Sequence, residues 1–184
     1  MSDPFRAALD ELSAVFDCID RDSIETACRH IIAARRIMLY GCGREGLHMQ
    51  GFAMRLNHLG FAVCMQGDMA AFPLEAGDLF IVTAGPGELS TVSALCGVAK
   101  RAGASILLLT AVGNAPVAAI ADQVLRIPAQ TMASDRGAVR TSVLPMGSLY
   151  EGALFVLFEV MVLRLAKLTG ATAGTMRARH TNME

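Results

Sequence analysis

The chain has 184 residues, which fits one domain able to bury a core without disulfide or metal staples. A formal net charge of −1, with no block of Lys or Arg, excludes the electrostatic footprint of a nucleic-acid binder. With 53% hydrophobic and only 18% charged residues the chain is more apolar than an average soluble domain, an excess that points to helix faces buried between copies in a homo-oligomer.

The N-terminal MSDPFRAALDEL has no basic start followed by an apolar stretch, so no signal peptide is expected. The most apolar segment, residues 152–158, is followed at once by Glu159 and soon by Arg164, too short a run to span a bilayer. The five cysteines (Cys18, Cys28, Cys42, Cys64 and Cys96) are odd in number, scattered in apolar patterns and without a Cys-x-x-Cys pair. They read as small core residues in a reducing compartment rather than as disulfides or metal ligands, and the expectation is a cytoplasmic protein.

Residues 3–34 carry apolar positions at Phe5, Leu9, Leu12, Val15, Phe16, Ile24, Ile31 and Ile32, predicting two helical pieces with Ser23 as a cap between them. The stretch from Arg36 to Gly60 organises the rest. Ile37, Met38, Leu39 and Tyr40 form a short uncharged run, as in a strand covered on both faces. Gly41 and Gly43 then permit a sharp turn and close approach of a ligand to the first N–H groups of a helix, a geometry that suits an anion. That helix carries Leu47, Phe52, Met54, Leu56 and Leu59 and stops at Gly60.

Further strands are expected at residues 61–65, 79–83, 105–109 and 122–127, with a loop over 69–77. A helix is expected from Glu88 to Ala102, closed by Gly103, and a short helix opening at Asn114-Ala115-Pro116 with Asn114 as its cap. Residues 129–143 are polar and irregular, an active-site or surface loop. A nearly all-apolar helix over 146–168, stopped by Gly170, predicts burial all round, partly in a subunit interface. The polar tail ends in a helix or extended arm. Strands alternating with helices give an α/β fold, a single domain over residues 1–184 with helices at 3–34, a parallel-sheet core at 36–128, and a C-terminal helix and tail at 146–184. Ligands bind such sheets beyond the strand C-termini, where both glycine turns lie, at 41–46 and 85–87.

Gly41-x-Gly43-x-x-Gly46 with Asp68 downstream has the outline of a dinucleotide fingerprint, but Gln66 and Gly67 displace the acid from the strand tip and Arg44 and Glu45 crowd the pyrophosphate position. Instead, YGCGREG, FAMRLNHLGF, AGPGELSTV, PMGSLYEGALFV and MRARHTNME, in this order, resemble the sugar isomerase (SIS) domain proteins, most closely the 6-phospho-3-hexuloisomerases, over residues 38–184. The resemblance implies a three-layer αβα sandwich with a five-stranded parallel sheet of flavodoxin-like order, commonly tetrameric, and metal-free and cofactor-free interconversion of a 3-ketohexose 6-phosphate and fructose 6-phosphate. Its expected ligand is a sugar phosphate or sugar derivative.

Two departures stand out. Where the family has Gly-x-Gly-Arg-Ser-Gly, this chain has Glu45 for the serine, and where it reads Ser-Gly-Ser-Gly-Glu-Thr, this chain reads Ala84-Gly85-Pro86-Gly87-Glu88-Leu89. Four hydroxyls expected to hold phosphate are absent, Pro86 removes an N–H, and a carboxylate at Glu45 repels phosphate. Ser90, Thr91 and the N–H groups of the helix start remain as anion ligands.

Glu151 matches the family's glutamate and is the candidate general base for a proton beside a carbonyl, with burial expected to tune it; its alternative is a carboxylate placed favourably near a helix N-terminus. His180, in the tail, is a candidate for proton transfer between oxygens, in its own or a neighbouring subunit's site, or an exposed tail histidine. His58 is the second such candidate or a capping or interface histidine, and His30 reads as helix surface. Arg44 can hold an anion, or pair with Glu45 or a neighbouring subunit. Glu88 starts a pocket helix. The expected reaction is aldose–ketose or ketose–ketose isomerisation through an enediol. The alternatives are a non-catalytic module sensing a sugar derivative and an isomerase of an unphosphorylated sugar, for which Glu45 would accept a hydroxyl.

Overall fold

The computed structural model describes residues 3–137 and 140–183. Residues 1–2, 138–139 within the expected 129–143 loop, and 184 at the end of the tail lie outside the described residues.

Five strands, β1 (Ile37–Tyr40), β2 (Val63–Met65), β3 (Leu79–Thr83), β4 (Ser105–Thr110) and β5 (Gln123–Arg126), form one all-parallel sheet in the order β2-β1-β3-β4-β5. Both faces of this sheet are covered, and the alternation along each strand decides which residue goes where. Leu79, Ile81, Leu107 and Leu109 join the core formed with α1 (Pro4–Asp17), α2 (Arg21–Ala33), α3 (Gly43–Leu59) and α5 (Ser148–Thr169). Phe80, Val82, Ile106 and Leu108 point the other way, into the core under α4 (Ser90–Arg101) and a single 3₁₀ turn, Pro116–Ala119. The result is the expected three-layer sandwich, completed by a short α6 (Ala173–Arg177).

Several local expectations are corrected. Asp20, not Ser23, caps α2: its carboxylate accepts from the Asp22 N–H at 3.1 Å, while the Ser23 hydroxyl donates to the same carboxylate at 2.7 Å. The 3₁₀ turn starts after Ala115, without an Asn114 side-chain cap. The helix expected from Glu88 begins at Ser90 and the one expected from Met146 begins at Ser148. Only Cys28 and Cys96 are buried, their thiols pushed up to about 11 by desolvation; Cys18 is exposed after α1, and Cys42 and Cys64 are half-buried in a turn and an edge strand. His30 is half-buried beside Asp78 and Ser105 rather than plain helix surface. The long α5 is not buried all round in the single chain: Phe155 is 58% and Leu163 72% exposed. Among the described residues no helix is long and apolar enough to cross a membrane.

At the N-terminal end of β3, Asp78 has a fully buried carboxylate that receives Arg35 Nε at 3.0 Å and an Arg36 terminal nitrogen at 2.9 Å. Burial alone pushes its carboxyl up, but the Arg36 and Arg35 hydrogen bonds outweigh it, and the group lies below its ordinary value. A depressed folded-state value contributes stability that is present above the unfolded value of about 4 and is lost as pH falls through the lower folded one. Asp78→Asn is therefore expected to destabilise the protein by about 1–3 kcal/mol at pH 7, with the gap to wild type closing in acid, as checked by urea unfolding across pH.

Candidate active site

The site is built where β1 and β3 end. At the β1–α3 turn a Cβ on Gly41 would lie 2.7 Å from Thr83 Cγ2, and one on Gly46 would lie 2.5 Å from the Gly41 carbonyl oxygen, so the close packing of this turn admits only glycine there. α3 therefore starts beside the end of β3, with Arg44 and Glu45 in its first turn. At the β3 turn, a Cβ on Gly85 would meet Glu45 Oε1 and the Tyr150 ring, both at 2.8 Å. The third wall is the start of α5. Its cap, Gly147, has φ of 80°, and Met146 before it has φ of 54°, a left-handed conformation that costs a non-glycine residue about 1 kcal/mol or more. The Met146 N–H donates to Asp135 at 2.5 Å, which ties this turn to the preceding loop.

Between these elements lies a cavity of about 330 Å³ lined by Gly43, Arg44, Glu45, Pro86, Tyr150 and Glu151, among others. The Arg44 guanidinium pairs with the Glu151 carboxylate and donates to Ser148 Oγ at 2.8 Å. The Glu151 side chain is 14% exposed against 54% for Arg44, so the carboxylate is held under a partly solvated cation. Within the chain Arg44 thus holds a carboxylate across the cavity, that of Glu151, rather than pairing with its neighbour Glu45.

Glu45 turns inward. Its Oε2 accepts from Thr83 Oγ1 at 2.7 Å and from the Gly85 N–H at 3.1 Å. Thr83 Oγ1 lies 3.0 Å from the buried Tyr150 hydroxyl. With the threonine proton committed to an ionised Glu45, Tyr150 is the donor in that second bond. Desolvation raises the Glu45 carboxyl above its ordinary value although the Thr83 and Gly85 hydrogen bonds act in the opposite sense. Full burial, then the Glu45 charge, push the Tyr150 phenol well above its ordinary value. For an acid so raised, the folded state is favoured as pH falls. Glu45→Gln is accordingly expected to raise the melting temperature relative to wild type at pH 8, with the gain vanishing near pH 4, where the unfolded carboxyl also holds its proton; a gain independent of pH contradicts this account.

Not every expected residue lines this cavity. Gly41, Gly85 and Gly87 shape the turns behind it. Glu88, Ser90 and Thr91 are exposed at the start of α4, where Glu88 accepts from Ser93 Oγ at 2.6 Å. His58 and His180 come together elsewhere, ring centroids 5.1 Å apart, in a hollow of about 310 Å³ with Arg55 and Arg177. His58 is buried in α3, and Arg179 donates to its carbonyl oxygen at 3.2 Å. No motif or spacing in the sequence marks Thr83, Tyr150, Thr131 or Met132 as site residues. Tyr150 adjoins Glu151, but within an apolar helix it reads as core.

A family model described as the SIS domain matches residues 30–156. The chain is similar to 3-hexulose-6-phosphate isomerase of Bacillus subtilis, 31% identical over 176 residues that cover 96% of this chain and 95% of the relative. It is similar also to the enzyme of the same name from Mycobacterium gastri, 35% identical over 95% of this chain and 87% of the relative. Among solved structures, a Methanococcus jannaschii protein, whose structure was taken to infer a 3-hexulose-6-phosphate isomerase function, superposes with a TM-score of 0.85 at 23% identity, covering 98% of both chains.

Proposed function

The chain belongs to the SIS domain family, and from that premise we propose that it is an isomerase of the phosphosugar-isomerase type, moving a carbonyl along a sugar or sugar-derivative chain through an enediol. The observation that carries this reading is the Glu151 carboxylate, set in the cavity wall beside two glycine turns and held by Arg44. An enediol mechanism needs one base that removes a proton from the carbon beside the carbonyl and returns it to the neighbouring carbon. Glu151 is that base. Arg44 positions it and faces the oxygen on which charge develops.

His180 and His58 handle protons on the sugar oxygens, supplied from a neighbouring subunit, since they share a hollow on the α3–α6 side that does not include Glu151. A cytoplasmic homo-oligomer is the matching assembly, supported by the exposed Phe155, Val160 and Leu163 on α5. The test is an NMR assay of purified protein against paired 3-keto, 2-keto and aldose sugars, each with and without a terminal phosphate. Approach to an isomer mixture from either side supports the reading, and no interconversion of any pair contradicts it.

A further inference from the structure

We propose that Glu45 sets the substrate class of the cavity: its carboxylate occupies the seat where the α3 N-terminus meets the β3 turn, so the sugar bound there presents an uncharged hydroxyl rather than a phosphate. This rests on the isomerase reading above and narrows its substrate.

An anion entering a pocket at the ends of parallel strands needs free N–H donors or a cation. Here two donors on the β3 side are already engaged, because Glu45 Oε2 takes both the Thr83 hydroxyl and the Gly85 N–H. The first N–H groups of α3 carry no side-chain cap, but an anion reaching them meets the Glu45 carboxylate in the same helical turn. The next residue, Pro86, lines the cavity and has no N–H to offer. The described lining holds one cation, Arg44, and two carboxylates, Glu45 and Glu151. That cation is paired with Glu151, so a phosphate that recruited it would leave the carboxylate unpartnered.

Glu45 Oε1, by contrast, takes no hydrogen bond from any described residue and remains an acceptor. A sugar hydroxyl satisfies it by donating a proton; a phosphate at the same distance meets like charge. The carboxylate is therefore both the filler of the anion seat and the recognition element for a neutral chain end. It is held rigidly, since its Thr83 partner is itself fixed by Tyr150.

The experiment titrates inorganic phosphate, D-fructose and D-fructose 6-phosphate into wild type, Glu45→Ala and Glu45→Gln by calorimetry. Glu45→Ala frees the Gly85 N–H and removes the charge; Glu45→Gln removes the charge while its amide oxygen still accepts from Thr83 and Gly85, and it is the variant to read if the alanine protein does not fold. Phosphate affinity is expected to rise in the variants on the order of a hundredfold for one like-charge contact removed at short range. Wild type is expected to bind no phosphorylated sugar more tightly than its free counterpart. Equal phosphate affinity in wild type and a folded variant, or a wild-type preference for fructose 6-phosphate, overturns the proposal. Turnover of a phosphorylated sugar by wild type would remove this inference and leave the isomerase reading standing. A phosphate gain in the variants without turnover of any sugar would do the reverse.

Discussion

Glu151→Gln is expected to lower kcat by about 10²- to 10⁴-fold, the usual contribution of a positioned general base, while leaving sugar binding within a few-fold of wild type. Glutamine keeps the shape and can still accept from Arg44, so the variant removes proton transfer and little else. Because the Arg44 side chain is 54% exposed, losing its charged partner is expected to change stability by less than about 1 kcal/mol. Steady-state kinetics beside a melting curve separates the two effects. Unchanged kcat excludes Glu151 as the base, and a large fall in melting temperature shows a structural role instead.

The second large effect is on stability. Phe52 of α3 and Phe158 of α5 stack with centroids 4.3 Å apart and planes 4° from parallel, both almost completely buried. They fasten together the two helices whose first turns carry Arg44 and Glu151. Phe52→Ala removes this stack and leaves a cavity in a core that cannot collapse between sheet and α5. We expect a loss of about 3–5 kcal/mol in urea unfolding, and Phe52→Leu is expected to lose less, since it keeps most of the volume. A loss under about 1.5 kcal/mol for the alanine variant contradicts this account of how the helices are held. In a protein of ordinary marginal stability, an effect of the expected size also loosens the site.

Local chemistry was legible in the sequence where it alone decides structure. β3 occupies Leu79–Thr83 as its apolar run predicts, and α3 and α5 end at Gly60 and Gly170, each left-handed, as helix-stopping glycines require. The sheet order agrees with the one the resemblance implies. Pairings between distant segments were not legible. Arg44 meets Glu151 across 107 positions and Glu45 meets Thr83 across 38, and no spacing rule for helices or strands reaches that far.

The sequence therefore showed Glu45 as an obstacle to phosphate without showing that it takes the Gly85 N–H. Tyr150 was hidden for the same reason: its hydroxyl matters only because Thr83 lies 3.0 Å away. The cysteines failed differently. Apolar neighbours predict burial on average, but Cys18 follows the end of α1 and is exposed, and Cys64 sits on the edge strand β2, where it packs against the core but is only partly covered.

The most direct test of the central claim is deuterium exchange. Incubating wild type and Glu151→Gln with the sugar that wild type binds most tightly, in heavy water, reports proton removal beside the carbonyl even where the equilibrium hides net turnover. The account predicts that wild type places deuterium on the carbon adjacent to the carbonyl and that Glu151→Gln does so at least about a hundredfold more slowly. Exchange at equal rates in both proteins, or none in wild type with ligand bound, would contradict it.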